Sequence, residues 1–313
     1  MPRRHTPTGL CGILLIDKPA EMTSHDIVDS VRRITGEKRV GHAGTLDPMA
    51  TGLMLILVGP AARLSPYLSV ATKTYEASVV FGSATDTDDA TGKTLHTCPV
   101  PPSAADKAFA DKTVAALIGE AEQVPPQYSA IKKNGVTAYT MARKGEAVVM
   151  ESRTISVFEA ELLAIQPGPP VAWDLRMTVS KGTYIRSIAR DLGETIGSCA
   201  HLGGLRRLKC AHLDVDEALK IEDLPREPEA LARLFFDPVD ALGLPVVQVD
   251  KHTAEKISSG RRLPIASIGS DIKAQERYVV LHDGRVLAIY SVSEEEFVPL
   301  TVMPPDTKFG TRR

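Results

Sequence analysis

The 313-residue chain has only four cysteines, Cys11, Cys98, Cys199 and Cys210, and no CxxC pair among them. That spacing excludes a zinc ribbon and a redox dithiol motif. Cys210 lies two residues before His212, but no second ligand pair follows, so all four read as buried or surface thiols and no metal is expected. Long apolar runs are also missing. GILLI near the N-terminus and LMLILV (Leu53–Val58) are too short for a signal-peptide core or a membrane span, and they read as buried strands of a cytoplasmic protein. Neither sign of charge dominates: 37 basic and 39 acidic residues leave a net charge of −2. This excludes a surface coated uniformly for nucleic acid, while leaving room for a local basic groove.

What is present is ordinary globular material, 43% hydrophobic and 24% charged, enough for one large domain and a small one. GILLIDKP reads as a strand stopped by Pro19. TSHD (Thr23–Asp26) has the form of a capping box, and Ile27, Val28, Val31 and Ile34 share a helical face that Gly36 ends. Alternation predicts a strand over Lys73–Gly82, with Tyr75, Ala77, Val79 and Phe81 on one side. ATDTDDATGK reads as a polar loop. It is no calcium loop, because Ala90 and Thr91 stand where a ligand and the turn glycine belong. Ser103–Ile118 is expected to be helical, Trp173–Val179 a strand, and Ile185, Ile188, Ala189, Leu192 and Ile196 the inner face of a helix. From about Leu242 short β-like runs separated by turns predict a small all-β module, with FFDPVDALGLP as the boundary.

The run GHAGTLDPMATG (Gly41–Gly52) carries three glycines and one carboxylate, Asp47. A residue before proline is held extended, so Asp47 is presented by a fixed turn. Such a loop suits a nucleophile or general base, and it suits equally an Asx turn capping its own backbone. It is neither a P-loop, since no GK[ST] follows, nor a dinucleotide fingerprint. Val124–Glu146 combines paired prolines, tyrosines and the basic residues Lys132, Lys133, Arg143 and Lys144; it reads as a grip on a phosphate backbone or as a solvated hairpin. KGTYIR (Lys181–Arg186) sets Tyr184 between two cations at a strand-to-helix junction, and HLGGLRR adds Arg206 and Arg207.

Taken in order, GILLIDKP with MTSHDIV, GHAGTLDPMATG, KTYEASVVFGSATDTDDATG, PPQYSAIKKNGVTAY and SKGTYIRSIARDLG followed by GLRR resemble the TruB family, the tRNA pseudouridine-55 synthases. The likeness runs from about residue 12 to 207. It implies an α+β pseudouridine-synthase fold with a central mixed, largely antiparallel sheet, flanking helices and loops. Residues 1–241 would form the catalytic domain, with an RNA-binding thumb-like loop at about 124–150. Residues 242–313 would form a PUA-like RNA-binding domain.

By the same resemblance Asp47 matches the essential aspartate, Tyr75 the tyrosine that stacks on the target base, and Arg186 the carboxylate's partner. Tyr184 lies against the same pocket, Leu205 resembles its apolar wall, and His42 resembles the residue that fills the stack left by the flipped nucleotide. Lys18, Lys132, Lys133, Lys181, Arg206 and Arg207 complete the expected RNA contacts. Glu21 departs from the pattern, since the family often has glycine there, which affects the turn before the first helix.

The implied reaction isomerises a T-loop uridine of tRNA: the N1–C1′ bond breaks, the uracil rotates, and C5 joins C1′. Nothing is oxidised, so no cofactor is expected. Asp47 would attack C1′, attack C6 or remove a proton, and Arg186 would hold it ionised. The implied partner is the T-arm stem-loop, with the protein a monomer needing no membrane and no obligate protein partner. A non-catalytic RNA-binding or tRNA-folding protein of the same fold is the alternative. A related synthase inside a protein-rich RNA-modifying complex is disfavoured by the thumb-like loop.

Overall fold

A computed structural model of the chain describes residues 8–129, 131–133, 136–137, 141, 150–268, 272–273, 276–305 and 307–310. Strand β1 (Gly12–Lys18) ends at Pro19, and helix α1 (Ser24–Thr35) begins with the expected capping box. Thr23 Oγ1 accepts from the Asp26 amide at 3.0 Å, Asp26 Oδ2 accepts from the Thr23 amide at 2.8 Å, and Gly36 closes the helix at φ 67°. Strands β2 (Val40–His42), β3 (Thr51–Val58) and β4 (Lys73–Phe81) follow, then a hairpin of β5 (Ser83–Thr85) and β6 (Thr94–Thr97).

The helix expected over Ser103–Ile118 is shorter. Asp106 is extended (φ −86°, ψ 121°) and its side chain accepts from the Phe109 amide, so α2 covers only Lys107–Ala115, after a 3-10 turn. Beyond Gly119 (φ 128°) the chain enters β7 (Gly119–Gln123), a strand that its run of glutamates hides. Two-residue strands β8 (Lys132–Lys133) and β9 (Val136–Thr137) pair within the thumb-like region. Then come β10 (Arg153–Gln166), β11 (Ala172–Val179), α3 (Ile185–Thr195), β12 (Ala200–Cys210) and β13 (Leu213–Asp214).

The nine-stranded sheet runs β1–β3–β12–β4–β11–β10–β7, with β2 added to β3 and β13 to β12. Its pairings are antiparallel except one. Strands β3 and β12 run parallel, where Thr51 faces Arg206 and Gly52 faces Arg207. At this contact Gly52 has φ 103°, and a Cβ there would collide with the Arg207 backbone, so glycine is required on both counts.

The apolar runs in β1 and β3 are continuous because both faces are covered. Leu14, Ile16, Met54 and Ile56 join the core that α1 and α3 cover, together with Tyr75, Trp173 and Leu192. The alternate residues Ile13, Leu15, Leu53 and Leu55 enter a second core.

That second core is completed from the C-terminal sheet, ordered β14–β16–β17–β18–β15. These strands are β14 (Val246–Gln248), β15 (Leu263–Pro264), β16 (Arg277–His282), β17 (Arg285–Ser293) and β18 (Glu296–Val302). Val279, Leu281, Val286 and Ile289 enter that core together with Ala61, Leu64, Leu68 and Ala241, while Tyr278, Val280, Tyr290 and Phe297 form a third core on the other face. Residues 242–313 are not all β: α4 (Lys251–Ser258), capped by Asp250, covers the third core through Ile257. Across the join, Arg63 donates to the Val302 carbonyl at 2.6 Å, and the hydroxyls of Tyr67 and Thr301 lie 2.7 Å apart.

Two expectations change. Cys98 and Cys199 are not separate thiols; the fold brings them together as a disulfide, while Cys11 and Cys210 are free and buried. Glu21 occupies φ 66°, the left-handed region that glycine enters without penalty, and its amide donates to the Pro48 carbonyl at 2.9 Å. The departure from the family's glycine therefore falls on a position whose backbone favours glycine. Replacing Glu21 by glycine is expected to stabilise the protein by about 1 kcal/mol, the usual penalty of a side chain in this region. A chemical denaturation midpoint that stays put or falls would contradict this.

Candidate active site

The segment between β2 and β3 has little ladder pairing of its own, so its carbonyls need other donors. Two buried cations supply them. Lys18, at the end of β1 and fully enclosed, donates to the carbonyls of Pro19, Met22 and Pro48 at 2.7, 2.6 and 3.1 Å. Arg207, on β12 and 1% exposed, donates to Leu53, Thr45 and Gly44 at 2.7, 3.4 and 3.2 Å. Ser24 Oγ closes the inner side, donating to the Leu46 carbonyl and accepting from the Leu46 amide, both at 2.8 Å. The turn that carries Asp47 is thus fixed from three elements.

Asp47 points at the first turn of α3. Arg186 Nη2 donates to its Oδ1 at 3.1 Å, and Nε lies 2.9 Å from Oδ2 as an ion-pair contact. The guanidinium, 6% exposed, also donates to the carbonyls of Thr87 and Tyr128, both at 3.0 Å. Asp89 Oδ2 stands 3.8 Å from the same Nε. Asp89 itself is buried, its Oδ1 accepting from Thr87 Oγ1, Thr91 N and Thr91 Oγ1. One arginine therefore faces two carboxylates. The reading of Asp47 as a lone Asx turn does not describe this geometry.

Arg186 favours the ionised form of Asp47, as expected, but does not fully offset the effect of burial. Burial raises the Asp47 carboxyl above the usual aspartate value; Arg186 opposes this, Asp89 adds to it, and Lys18 opposes it more weakly. Burial likewise pulls the Lys18 ammonium down to about 8, with Asp47 and Asp26 restoring part of the drop. Tyr75 pairs across the sheet with Met177 and Arg207. Its phenol is buried and raised by that burial, with the Arg207 guanidinium opposing, and the charge of Asp47 reaches it too. His42 is lowered by burial and by Arg207, and its Nδ1 has no hydrogen-bond partner among the described residues.

Tyr184 caps α3. Its ring centroid lies 6.0 Å from Arg186 Cζ and 4.6 Å from Arg153 Cζ. Buried Gln123 holds its backbone from both ends: Oε1 accepts from the Tyr184 amide at 2.8 Å and Nε2 donates to its carbonyl at 3.1 Å. Leu205, opposite Ala77, packs half-buried against the core that includes Tyr75.

The fold thus brings Asp47, Arg186, Tyr184 and Tyr75 together, with Leu205 and His42 at the margins. The basic set divides. Lys181 is exposed beside the site. Arg206 is bound to Asp17 by two hydrogen bonds of 3.0 and 2.8 Å. Lys18 and Arg207 are corrections: both are enclosed and donate to the chain's own carbonyls, so neither ammonium nor guanidinium is presented to a phosphate. The side chains of Lys132 and Lys133, and all of Arg143 and Lys144, lie outside the described residues.

Asp89, Gln123 and Arg153 were not foreseen. Asp89 had a signal, an aspartate flanked by Thr87 and Thr91 that can fold its own turn; the other two had none.

Replacing Lys18 by methionine keeps most of the apolar stem and removes the donor shared by three part-buried hydrogen bonds. Chemical denaturation is expected to show a loss of about 1.5–3 kcal/mol, the range for hydrogen bonds to a charged group. An unchanged midpoint would show that water replaces the ammonium without loss.

Residues 32–185 match the family described as TruB family pseudouridylate synthase (N terminal domain). A protein named tRNA pseudouridine synthase B from Thermobifida fusca is 39% identical over 289 residues, covering 89% of this chain and 93% of the relative. A protein of the same name from Streptococcus thermophilus is 37% identical over 300 residues, covering 94% and 99%. Among solved structures, an archaeal box H/ACA Nop10–Cbf5 complex contains a chain that aligns with TM-score 0.69 at 21% identity, over 98% of this chain and 93% of that one. This last likeness concerns the fold. The sequence matches, over nearly the whole chain, concern lineage as well, and the chain belongs to the TruB family of pseudouridylate synthases.

Proposed function

We propose that the protein converts a uridine in the T-loop of tRNA, at position 55, to pseudouridine. The observation that carries this is the 2.9 Å contact between Asp47, on its braced loop, and Arg186, at the start of α3 beside the Tyr184 ring. The relatives' name, tRNA pseudouridine synthase B, supports the same substrate.

A base inside a stacked loop must first leave it, at a cost of a few kcal/mol. The Tyr75 face offers stacking worth roughly 1–3 kcal/mol in return. Leu205 would wall the pocket, and His42, whose Nδ1 has no hydrogen-bond partner among the described residues, would fill the vacated stack. Lys181 and the thumb-like segment take the phosphates. Asp47 is the group that acts on the nucleotide, and Arg186 orients its two oxygens. Because burial raises its carboxyl, Asp47 when ionised is a stronger base or nucleophile than an ordinary aspartate. Residues 242–313 extend the RNA-binding surface as a PUA-like unit, and the chain acts as a monomer. A role limited to binding or folding RNA would not require this carboxylate–guanidinium–tyrosine constellation.

Incubating the protein with an unmodified T-arm stem-loop and mapping pseudouridine tests the proposal. Asp47→Asn is expected to retain binding of the stem-loop and to abolish product; product at the normal rate would remove Asp47 from its role.

The pH dependence has a definite sign. A raised carboxyl takes up its proton at higher pH than a free aspartate does, so the active ionised form is lost earlier on acidification. Single-turnover product formation is therefore expected to fall while the pH is still above the ordinary aspartate value of about 4. A rate that stays level down to that value would contradict it.

A further inference from the structure

Cys98 and Cys199 are 101 residues apart in sequence, yet the fold sets their Cα atoms 5.6 Å apart. Their proximity does not depend on the sulfur–sulfur bond alone. Gly82 lies between them: its amide donates to the Cys199 carbonyl at 2.8 Å, and its carbonyl accepts from the Cys98 amide at 3.0 Å. The β5–β6 hairpin fixes the other side, pairing Ser83 with Thr97 and Ala84 with His96. His96 and Cys98 are two residues apart at the end of an extended strand, so their side chains project to the same side. The imidazole has no hydrogen-bond partner among the described residues. One ring nitrogen of His96 and the two sulfurs lie within 4.8 Å of one another.

Two thiolates and an imidazole at this spacing are a ligand set for a soft d10 cation. Tetrahedral zinc, with Zn–S about 2.3 Å and Zn–N about 2.0 Å, needs its ligand atoms roughly 3–4 Å apart. Backbone pairing through Gly82 keeps the sulfurs near that range after the disulfide opens. Cys199 is buried, whereas His96 is exposed, so a cation would sit at the surface with a fourth position open to water.

We propose that, once the Cys98–Cys199 disulfide is reduced, Cys98, Cys199 and His96 bind one zinc-type cation. Reduction delivers two electrons and two protons, one of each to each sulfur. With a phosphine as reductant the phosphorus supplies the electrons and takes an oxygen atom from water. The cation then displaces the thiol protons, and neutral His96 contributes a lone pair.

The site lies apart from Asp47 yet touches the same framework. Three residues after Cys199, the Leu202 amide donates to the Asp88 carbonyl at 3.0 Å and its carbonyl accepts from the Ala90 amide at 2.9 Å. A bound cation would take over from the disulfide the tie between this acidic loop and the α3–β12 junction.

Cobalt(II) titration of the phosphine-reduced full-length protein tests this directly. Sulfur-to-cobalt charge-transfer absorption is expected to saturate at one equivalent and to be displaced by zinc. Cys98→Ser should abolish it, and His96→Ala should weaken cobalt binding at least tenfold. The other thiols, Cys11 and Cys210, are controlled by the Cys98→Ser variant, in which persisting absorption would overturn the assignment. Reduced protein with all thiols titratable but no thiolate–cobalt absorption would also overturn it, as would unchanged affinity in His96→Ala.

Discussion

The constraint on which the site rests is the need to satisfy the carbonyls of an irregular loop inside the protein. The turn around Asp47 cannot join a ladder without losing its shape, so donors must come from side chains. Lys18 and Arg207 each reach three carbonyls, which few neutral side chains could do from one position. Each is costly to bury as a cation, and each cost is offset by charge-assisted hydrogen bonds. The sheet makes this possible. Lys18 ends β1, and Arg207 faces Gly52 where β3 and β12 run parallel.

The electrostatics of Asp47 follow from the same crowding. Arg186 and Lys18 favour its ionised form, whereas burial and the second carboxylate, Asp89, favour the neutral one. The result is a carboxyl raised above its ordinary value but locked in orientation by a guanidinium that also donates to the Thr87 and Tyr128 carbonyls and lies 3.8 Å from Asp89. Orientation and basicity thus have separate sources: Arg186 supplies the first, and burial with the neighbouring Asp89 supplies the second.

Much of this was legible in the sequence, and the divide has a physical basis. Helix α1 was readable from its capping box and Gly36, and β4 from its alternation, because these signals are local. The pairing of Asp47 with Arg186 spans 139 residues and came from the family pattern rather than from spacing. The residues misread are those where charge type misleads. Lys18 and Arg207 look like phosphate contacts, yet burial turns them into internal braces. The strands Gly119–Gln123 and Arg153–Gln166 were illegible because their edge positions carry polar residues that break the alternation. The disulfide was missed because no local spacing announces a contact between Cys98 and Cys199.

The C-terminal sheet bears on the site more closely than its β-rich texture implies. Strands β1 and β3 carry apolar residues on both faces, and one face belongs to a core shared by Ala61, Leu64, Leu68 and Ala241 and, from the C-terminal sheet, by Val279, Leu281, Val286 and Ile289. Exposing that face would leave Ile13, Leu15, Leu53 and Leu55 in water, at roughly 1.5–3 kcal/mol for each large side chain. Lys18 ends one of these strands, and Leu53, whose carbonyl takes the shortest Arg207 hydrogen bond, lies in the other. The braces of the Asp47 loop are therefore anchored in strands whose burial the C-terminal sheet completes. Residues 242–313 act on the site through packing, in addition to whatever RNA they contact.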